Sequence, residues 1–239
     1  MKLVISKTKE DTAESFTDYL IDLMKSESSM HIALSGGSTP KIVFDELASR
    51  NISESTWQKV HFYWGDERCV SPDDTDSNYK MTVEHLLSKI KVPEKNIHRI
   101  KGENDPGHEA ERYAEVLREE LPQVNGIPKF DLVILGLGDD GHTASIFPHE
   151  IELWHSDALC EVAEHPESGQ KRITITGKVI NNAAEVAFLI TGENKAEKVV
   201  EIINQQGGFN NYPANLVNPE SGNLFWFLDE AAAKKLTST

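Results

Sequence analysis

The chain has 239 residues, and 38% of them are hydrophobic, which is enough for a sizeable core in one large domain or two small ones. Its formal net charge of −15 argues against nucleic acid and against an anionic membrane surface as partners, and an anionic substrate would need a local basic pocket. The two cysteines, Cys69 and Cys160, suggest neither a disulfide framework nor a zinc ribbon, and no apolar run reaches the ~18 residues of a membrane span.

Helix and strand patterns alternate along the chain. The apolar run in the opening segment, Met1–Ser6, is too short for a signal peptide, and charged residues lie too close to it. Apolar residues at helical spacing predict helices over residues 8–24, 40–48, 79–90, 109–121, 195–203 and 229–236. Short apolar runs predict strands over residues 30–34, 60–64, 130–135, 172–176, 186–191 and 224–228. This alternation predicts a mainly parallel sheet with helices on both faces, and we expect residues 1–239 to form one Rossmann-like α/β domain.

Helix starts and loops have their own signals. Thr8 and Asp11 have the spacing of a capping box for the first helix, and Asp76 or Ser77 is suited to cap the helix over residues 79–90. Polar stretches at residues 164–171 and 205–211 are predicted to be surface loops.

A glycine-rich turn, Leu34-Ser-Gly-Gly-Ser-Thr-Pro40, follows a predicted strand and opens a helix. Thr39 is suited to be the N-cap of that helix and Pro40 its first residue. Such a turn aims free N–H groups and the positive end of the helix dipole at one point, which favours phosphate. The Walker A lysine is absent, and a well-capped helix that binds nothing explains the pattern equally well.

The segment from Phe130 to Ser145 joins a predicted buried strand to a glycine-rich turn that ends at His142. Ligands of open α/β sheets bind at the carboxyl ends of the strands, so His142 stands where a catalytic base would stand. The Gly136-x-Gly-x-x-Gly141 pattern matches the dinucleotide fingerprint only weakly, because Asp139 and Asp140 would repel a pyrophosphate. The alternative is a buried, hydrogen-bonded histidine, which the small and polar neighbours of His142 disfavour. The other histidines show no metal-ligand spacing.

Charged residues occur near the ends of other predicted elements. Trp64-Gly-Asp-Glu-Arg-Cys69 carries acids and an arginine that could bind sugar hydroxyls and an anion, although a solvated loop with a local ion pair fits as well. Arg172 opens a strand and Lys195 a helix, and both are expected at the rim of the sheet. There they could form the basic pocket that an acidic protein needs, and otherwise they are ordinary surface cations.

Taken together and in order, these motifs resemble the 6-phosphogluconolactonase family. The resemblance rests on Ser35–Pro40, Trp64–Arg68 with Asp76–Asn78, Gly136–Ser145, Arg172–Thr174, Gly192–Ala196, Tyr212–Ala214 and Trp226–Asp229. It implies the α/β fold shared with glucosamine-6-phosphate deaminase and ribose-5-phosphate isomerase. It also implies a cytoplasmic enzyme without cofactor or metal that hydrolyses 6-phosphogluconolactone to 6-phosphogluconate in the pentose phosphate pathway. One departure is mild: Tyr212 stands where the family usually has phenylalanine.

The resemblance implies roles for single residues. His142 would be the general base, Asp140 would either orient its imidazole or shape the turn, and Asp66 would complete the catalytic group. The residues implied to bind substrate are Gly36, Gly37, Ser38, Thr39, Arg68, Asn78, Arg172 and Lys195. Of these, the Gly36–Thr39 turn, Arg172 and Lys195 would hold the phosphate. Which of Asp66, Glu67 and Asn78 contacts the sugar hydroxyls stays open.

Two other functions fit the same motifs. One is an amino-sugar-phosphate deaminase or isomerase on the same fold, whose pattern has a glutamate five residues after the motif histidine. That position here is Phe147, which cannot transfer a proton. The other is a sugar-phosphate sensor without activity, which would have little need of His142 in its pocket. The expected partner is therefore a small sugar phosphate lactone, with neither nucleic acid nor membrane, and a monomer is favoured.

Overall fold

The structure, a computed structural model, describes residues 1–236. Its helices are α1 (Lys9–Ser26), α2 (Ser38–Ser49), α3 (Glu54–Trp57), α4 (Asn78–His85), α5 (Pro106–Glu120), α6 (Gly177–Asn181) and α7 (Ala196–Ile203). Its strands are β1 (Lys2–Ser6), β2 (Met30–Leu34), β3 (Val60–Trp64), β4 (Asp66–Arg68), β5 (Ile97–His98), β6 (Gln123–Val124), β7 (Ile127–Pro128), β8 (Leu132–Leu135), β9 (Cys160–Glu164), β10 (Lys171–Ile175), β11 (Glu185–Ile190) and β12 (Leu224–Asp229).

The main sheet has seven strands in the order β1-β12-β11-β8-β2-β3-β5, and every neighbouring pair in it is parallel. All residues of β2 and β8 are buried, as expected for central strands that helices cover on both faces. The prediction of a mainly parallel α/β sheet is therefore confirmed. A smaller antiparallel sheet has the order β4-β10-β9, and β6 pairs with β7.

The first helix shows how the local sequence determines where a helix begins. Asp11 N–H donates to the Thr8 hydroxyl at 3.1 Å and Thr8 N–H donates to the Asp11 carboxylate at 3.1 Å, so the predicted capping box is confirmed. The buried face of α1 then presents Phe16, Leu20 and Met24 to the core.

Among the helices of residues 1–236, none combines the length and apolarity needed to cross a membrane.

Two predictions about helix ends were wrong. The N-cap of α2 is Gly37, with φ of 111°, and the helix begins at Ser38. Thr39 lies inside the helix, where its hydroxyl is 2.8 Å from that of Thr191. The helix predicted over residues 79–90 ends at His85, and Ser77 caps it. A short 3₁₀ turn over Leu87–Lys89 replaces its predicted end.

The helix predicted over residues 229–236 is also wrong: β12 runs to Asp229 and turns follow. The Asp229 carboxylate accepts hydrogen bonds from Gly192 N–H at 3.0 Å and from Ala232 N–H at 2.7 Å. It thereby ties the end of the strand to the turn after β11. The expectation that Arg172 lies at the rim of the main sheet fails as well, because its strand, β10, belongs to the small sheet.

Candidate active site

The carboxyl ends of β2, β3, β8 and β11 lie side by side, and the segments that follow them enclose one cleft of about 290 Å³. Eight of the predicted site residues line it: Gly36, Gly37, Asp66, Arg68, Asn78, His142, Arg172 and Lys195. An adjoining recess of about 130 Å³ shares Gly36, Gly37 and Lys195 with the cleft and adds Ser38 and Thr39. The structure therefore places the imidazole and Gly37, the N-cap of α2, on the wall of the same cleft.

His142 forms a close pair with Asp140. The distance from His142 Nδ1 to Asp140 Oδ1 is 2.6 Å, and the same carboxylate oxygen accepts from the backbone N–H of His142 at 3.0 Å. Burial raises the pKa of Asp140, but the hydrogen bonds and charge of His142 outweigh burial and lower this pKa to about 2. An ionised Asp140 favours the imidazole tautomer with the proton on Nδ1, which leaves Nε2 as a proton acceptor.

Gly138 makes room for this pair. A Cβ atom at position 138 would lie 2.1 Å from His142 Nδ1 and 2.7 Å from Asp140 Oδ1. The loop is closed by Gly138 N–H, which donates to the His142 carbonyl at 2.9 Å, and by Gly141 N–H, which donates to the Gly138 carbonyl at 3.1 Å. A side chain at position 138 would displace the imidazole.

Asp66 and Asn78 form a second group in the cleft, and both are buried. Ser145 Oγ lies 2.5 Å from Asp66 Oδ2, and the Asn78 amide donates to the Asp66 carbonyl at 3.0 Å. The amide of Asn78 also packs directly on Gly36, where a Cβ atom would lie 1.8 Å from Asn78 Oδ1. These contacts fix the acid and the amide against the phosphate-binding turn predicted from sequence.

Glu67 has a different environment from its two neighbours in the chain. Its carboxylate is 2% exposed and accepts from the backbone N–H groups of Arg68, Asn78 and Tyr79, each at 2.8 Å. Ser77 Oγ donates to it at 3.0 Å. Glu67 therefore joins β4 to the start of α4, and Asp66 and Asn78 remain as the residues available to sugar hydroxyls.

Arg68 and Arg172 are directly opposite each other on β4 and β10. Like charges at such a pair of positions are destabilising, and both Nε atoms are buried without a protein partner among residues 1–236. Burial lowers the pKa of Arg172, and the charge of Arg68 lowers it further. Two buried donors on adjacent cations make this side of the cleft suited to an anion or a polarised oxygen.

Lys195 lies between the cleft and the recess, where its ammonium is 2.6 Å from Asp139 Oδ1. Asn194 donates to the same oxygen at 3.0 Å. Sequence analysis missed site roles for Asp139, which holds Lys195, and for Ser145, which holds Asp66. Both belong to the Gly136–Ser145 motif, but nothing in their spacing indicates which side chain each of them meets.

Comparisons with known proteins identify the family to which this chain is similar. The sequence model for glucosamine-6-phosphate isomerases/6-phosphogluconolactonase matches residues 6–226. A 6-phosphogluconolactonase of Haemophilus influenzae is 45% identical over 208 residues, which cover 87% of this chain and 88% of that protein. One of Aggregatibacter actinomycetemcomitans is 40% identical over 237 residues, covering 99% of this chain and 100% of that protein. A crystal structure described as that of devB protein matches with a TM-score of 0.93 at 43% identity, over 99% of both chains.

Proposed function

Because the chain belongs to the glucosamine-6-phosphate isomerase/6-phosphogluconolactonase family, we propose that it hydrolyses 6-phospho-D-glucono-1,5-lactone to 6-phospho-D-gluconate. This is the lactonase step of the oxidative pentose phosphate pathway, in the cytoplasm. The observation that carries the proposal is that His142, paired with Asp140, and Gly37, the N-cap of α2, line the same cleft.

The phosphate is proposed to lie at the recess. There the N–H groups of Ser38 and Thr39 have no backbone acceptor within residues 1–236. The helix dipole favours negative charge at this end of α2, and Lys195 adds a positive charge. Arg172 lines the cleft but not the recess, so its predicted contact with phosphate would have to reach across from the His142 side. The lactone ring would then lie between Asp66 and His142.

In the proposed reaction, Nε2 of His142 takes a proton from water as the water oxygen bonds to the lactone carbonyl carbon. The tetrahedral intermediate then breaks its bond to the ring oxygen, and the imidazolium returns the proton to that oxygen. The product is an open-chain acid, which ionises in water. A lactone is already an activated ester, so the reaction needs neither a covalent nucleophile nor a cofactor. General base catalysis of this kind gives ~10²–10⁴ in rate.

The rival function is that of an amino-sugar-phosphate deaminase or isomerase, which the family also contains. Such a reaction needs a second proton-transfer group. Phe147, at the position where the deaminase pattern described above has a glutamate, is fully buried with its ring 4.6 Å from that of His142. Release of ammonia from glucosamine 6-phosphate would favour the rival.

The decisive assay follows lactone hydrolysis, corrected for the spontaneous rate. We expect the wild-type protein to be active and His142→Asn to lose at least ~10²-fold in kcat while it remains folded. Near-normal turnover by His142→Asn would remove His142 as the base, and an inactive wild type that binds 6-phosphogluconate would favour a sensor.

Lys195→Ala should mainly raise KM. Equal hydrolysis of unphosphorylated gluconolactone would contradict the phosphate site.

A further inference from the structure

The surroundings of Phe147 are unusual for a buried phenylalanine. Its side chain is 0% exposed, yet within residues 1–236 the contiguous apolar core does not include it. Its ring centroid lies 4.6 Å from that of His142, 5.3 Å from His165 and 5.8 Å from His149. The guanidinium carbon of Arg172 lies over the ring at 5.5 Å. Three imidazoles and a guanidinium therefore lie close to this ring.

A tight reversal of the chain brings Phe147 back to the histidine. Ala144 has a φ of 48°, a left-handed conformation that costs energy for a residue with a Cβ. Thr143 and Ile146 form an isolated antiparallel bridge across this reversal, and the Thr143 hydroxyl donates to the Gly136 carbonyl at 2.9 Å. The backbone conformation thus places the ring of Phe147 against the imidazole five residues earlier in the chain.

His142 is consequently held by three contacts of different kinds. The Asp140 carboxylate accepts a hydrogen bond from Nδ1 of His142. The backbone of Gly138 lies so close to the imidazole that a Cβ atom has no space there, and the ring of Phe147 contacts the imidazole directly. Aromatic rings attract cations through their quadrupole, and the attraction is stronger where the contact excludes water. The contact between Phe147 and His142 is buried on the Phe147 side, and an imidazolium there would be stabilised more than a neutral imidazole.

We propose that Phe147 is a positioning residue for the reaction, and that its aromatic ring holds the imidazole of His142 and stabilises the imidazolium formed when that base takes its proton. The proposal rests on the proposed function. The same ring lies under Arg172, a permanent cation, and so it fixes the base and the arginine relative to each other. An aliphatic side chain of similar volume could fill the space but could not provide this attraction.

The test replaces Phe147 with 4-fluoro-, 3,5-difluoro- and 3,4,5-trifluorophenylalanine by site-specific incorporation. Fluorine weakens the quadrupole stepwise and nearly preserves the shape of the ring. We expect kcat for the phosphorylated lactone to fall at each step, by about 10-fold in total, while the thermal midpoint hardly changes. The same series at Phe16, which is equally buried and packs on Phe227 at 5.1 Å, is the matched control and should leave kcat constant.

A second pair of variants separates positioning from packing. Phe147→Leu should lower kcat at least as much as the trifluorinated ring, whereas Phe16→Leu should lower the thermal midpoint but not the kcat of the folded fraction. An active wild type whose kcat is constant across the fluorinated series would overturn the inference and leave the proposed function standing. A wild type without lactonase activity would overturn both.

Discussion

Asp140 determines which nitrogen of His142 is available to the substrate. As a carboxylate it can only accept a hydrogen bond, so it selects the tautomer with hydrogen on Nδ1. Its pKa is lowered from 3.8 to about 2 in the folded protein. The stability from this pair is therefore present above pH 3.8 and is lost as the pH falls towards 2. Over the neutral range Asp140 stays ionised, so its own titration leaves the activity unchanged.

Asp140→Asn tests this role. An amide can donate to Nδ1 and so favour the tautomer that has hydrogen on Nε2, which cannot accept a proton from water. We expect kcat to fall by about 10²-fold or more, with KM changed much less. Steady-state kinetics on the lactone measure both constants, and Asp22→Asn, on the surface of α1, is the control. A kcat within twofold of the wild type would mean that Asp140 only shapes the turn.

Neighbouring residues in the Asp66–Arg68 motif show where prediction from sequence ends. The sequence left open whether this motif binds a ligand or forms a solvated loop, and β4, which is only three residues long, was not predicted. Successive side chains of a strand point to opposite faces. Asp66 and Arg68 consequently line the cleft, while Glu67 turns towards the start of α4. Without knowledge of the strand, an acid that lines the cleft and an acid that braces the fold cannot be told apart by their sequence pattern.

The loop after β8 requires a residue without a side chain at Gly138, beside the imidazole. Gly138→Ala would place a methyl group 2.1 Å from the imidazole nitrogen, and the imidazole must move to admit it. We expect at least a 10-fold lower kcat, because displacement of a catalytic group by ~1 Å can cost up to 10²-fold. Gly107→Ala, on α5, is the control, since its nearest neighbour would be 3.5 Å away. Equal activity of the two variants would show that the loop adapts freely.

A row of histidines crosses three adjacent strands of the main sheet. The rings of His31 and His61 are 4.7 Å apart and those of His61 and His98 are 5.6 Å apart. Burial, followed by the charges of His61 and His98, lowers the pKa of His31 to about 4. Burial also lowers the pKa of His61 and of His98, although the nearby carboxylate of Glu120 opposes both shifts. The row is thus uncharged in the folded protein at neutral pH.

The histidine row should make the fold sensitive to mild acid. The unfolded chain protonates His31 near pH 6.5, whereas the folded protein does so only near pH 4, so protons favour unfolding between these values. We expect His31 to remove about 2 kcal/mol from the free energy of unfolding between pH 7 and pH 5. Urea denaturation at both pH values measures this loss, and His31→Gln should lose less. An equal loss in the variant would assign the acid sensitivity to other groups.

Elements with a clear hydrophobic pattern in the sequence were predicted well. The other elements were not, because their structure depends on contacts with residues far away in the chain. The strands over residues 30–34 and 60–64 match their predicted bounds, because continuous apolar runs are typical of buried parallel strands. The end of the chain was wrong because Asp229 binds Gly192, a contact that no local pattern contains. In the small sheet, β10 was close to its predicted bounds, whereas β4 was missed because it has only three residues and pairs with a strand far along the chain.

At the scale of the molecule, the order of the strands makes the cleft. The chain supplies site residues from segments that are far apart, and the adjacency of β2, β3, β8 and β11 brings these segments together. It also concentrates positive charge, from Arg68, Arg172 and Lys195, in a protein whose net charge is −15. Composition indicated that an anionic substrate needs a basic pocket, and the sequence offered Arg172 and Lys195 for it; the topology places both of them in one cleft with Arg68.

A ligand that contacts all these segments should stabilise the whole fold. Binding to the folded state alone adds RT ln(1 + [L]/Kd), which is ~2.7 kcal/mol at a concentration of 100 Kd. For a chain of this length we expect 6-phosphogluconate, the product of the proposed reaction, to raise the thermal midpoint by roughly 5–10 °C. Gluconate, which lacks the phosphate, should have little effect at the same concentration. Lys195→Ala should need far more 6-phosphogluconate for the same shift, and equal shifts with gluconate and 6-phosphogluconate would place the binding energy outside the recess.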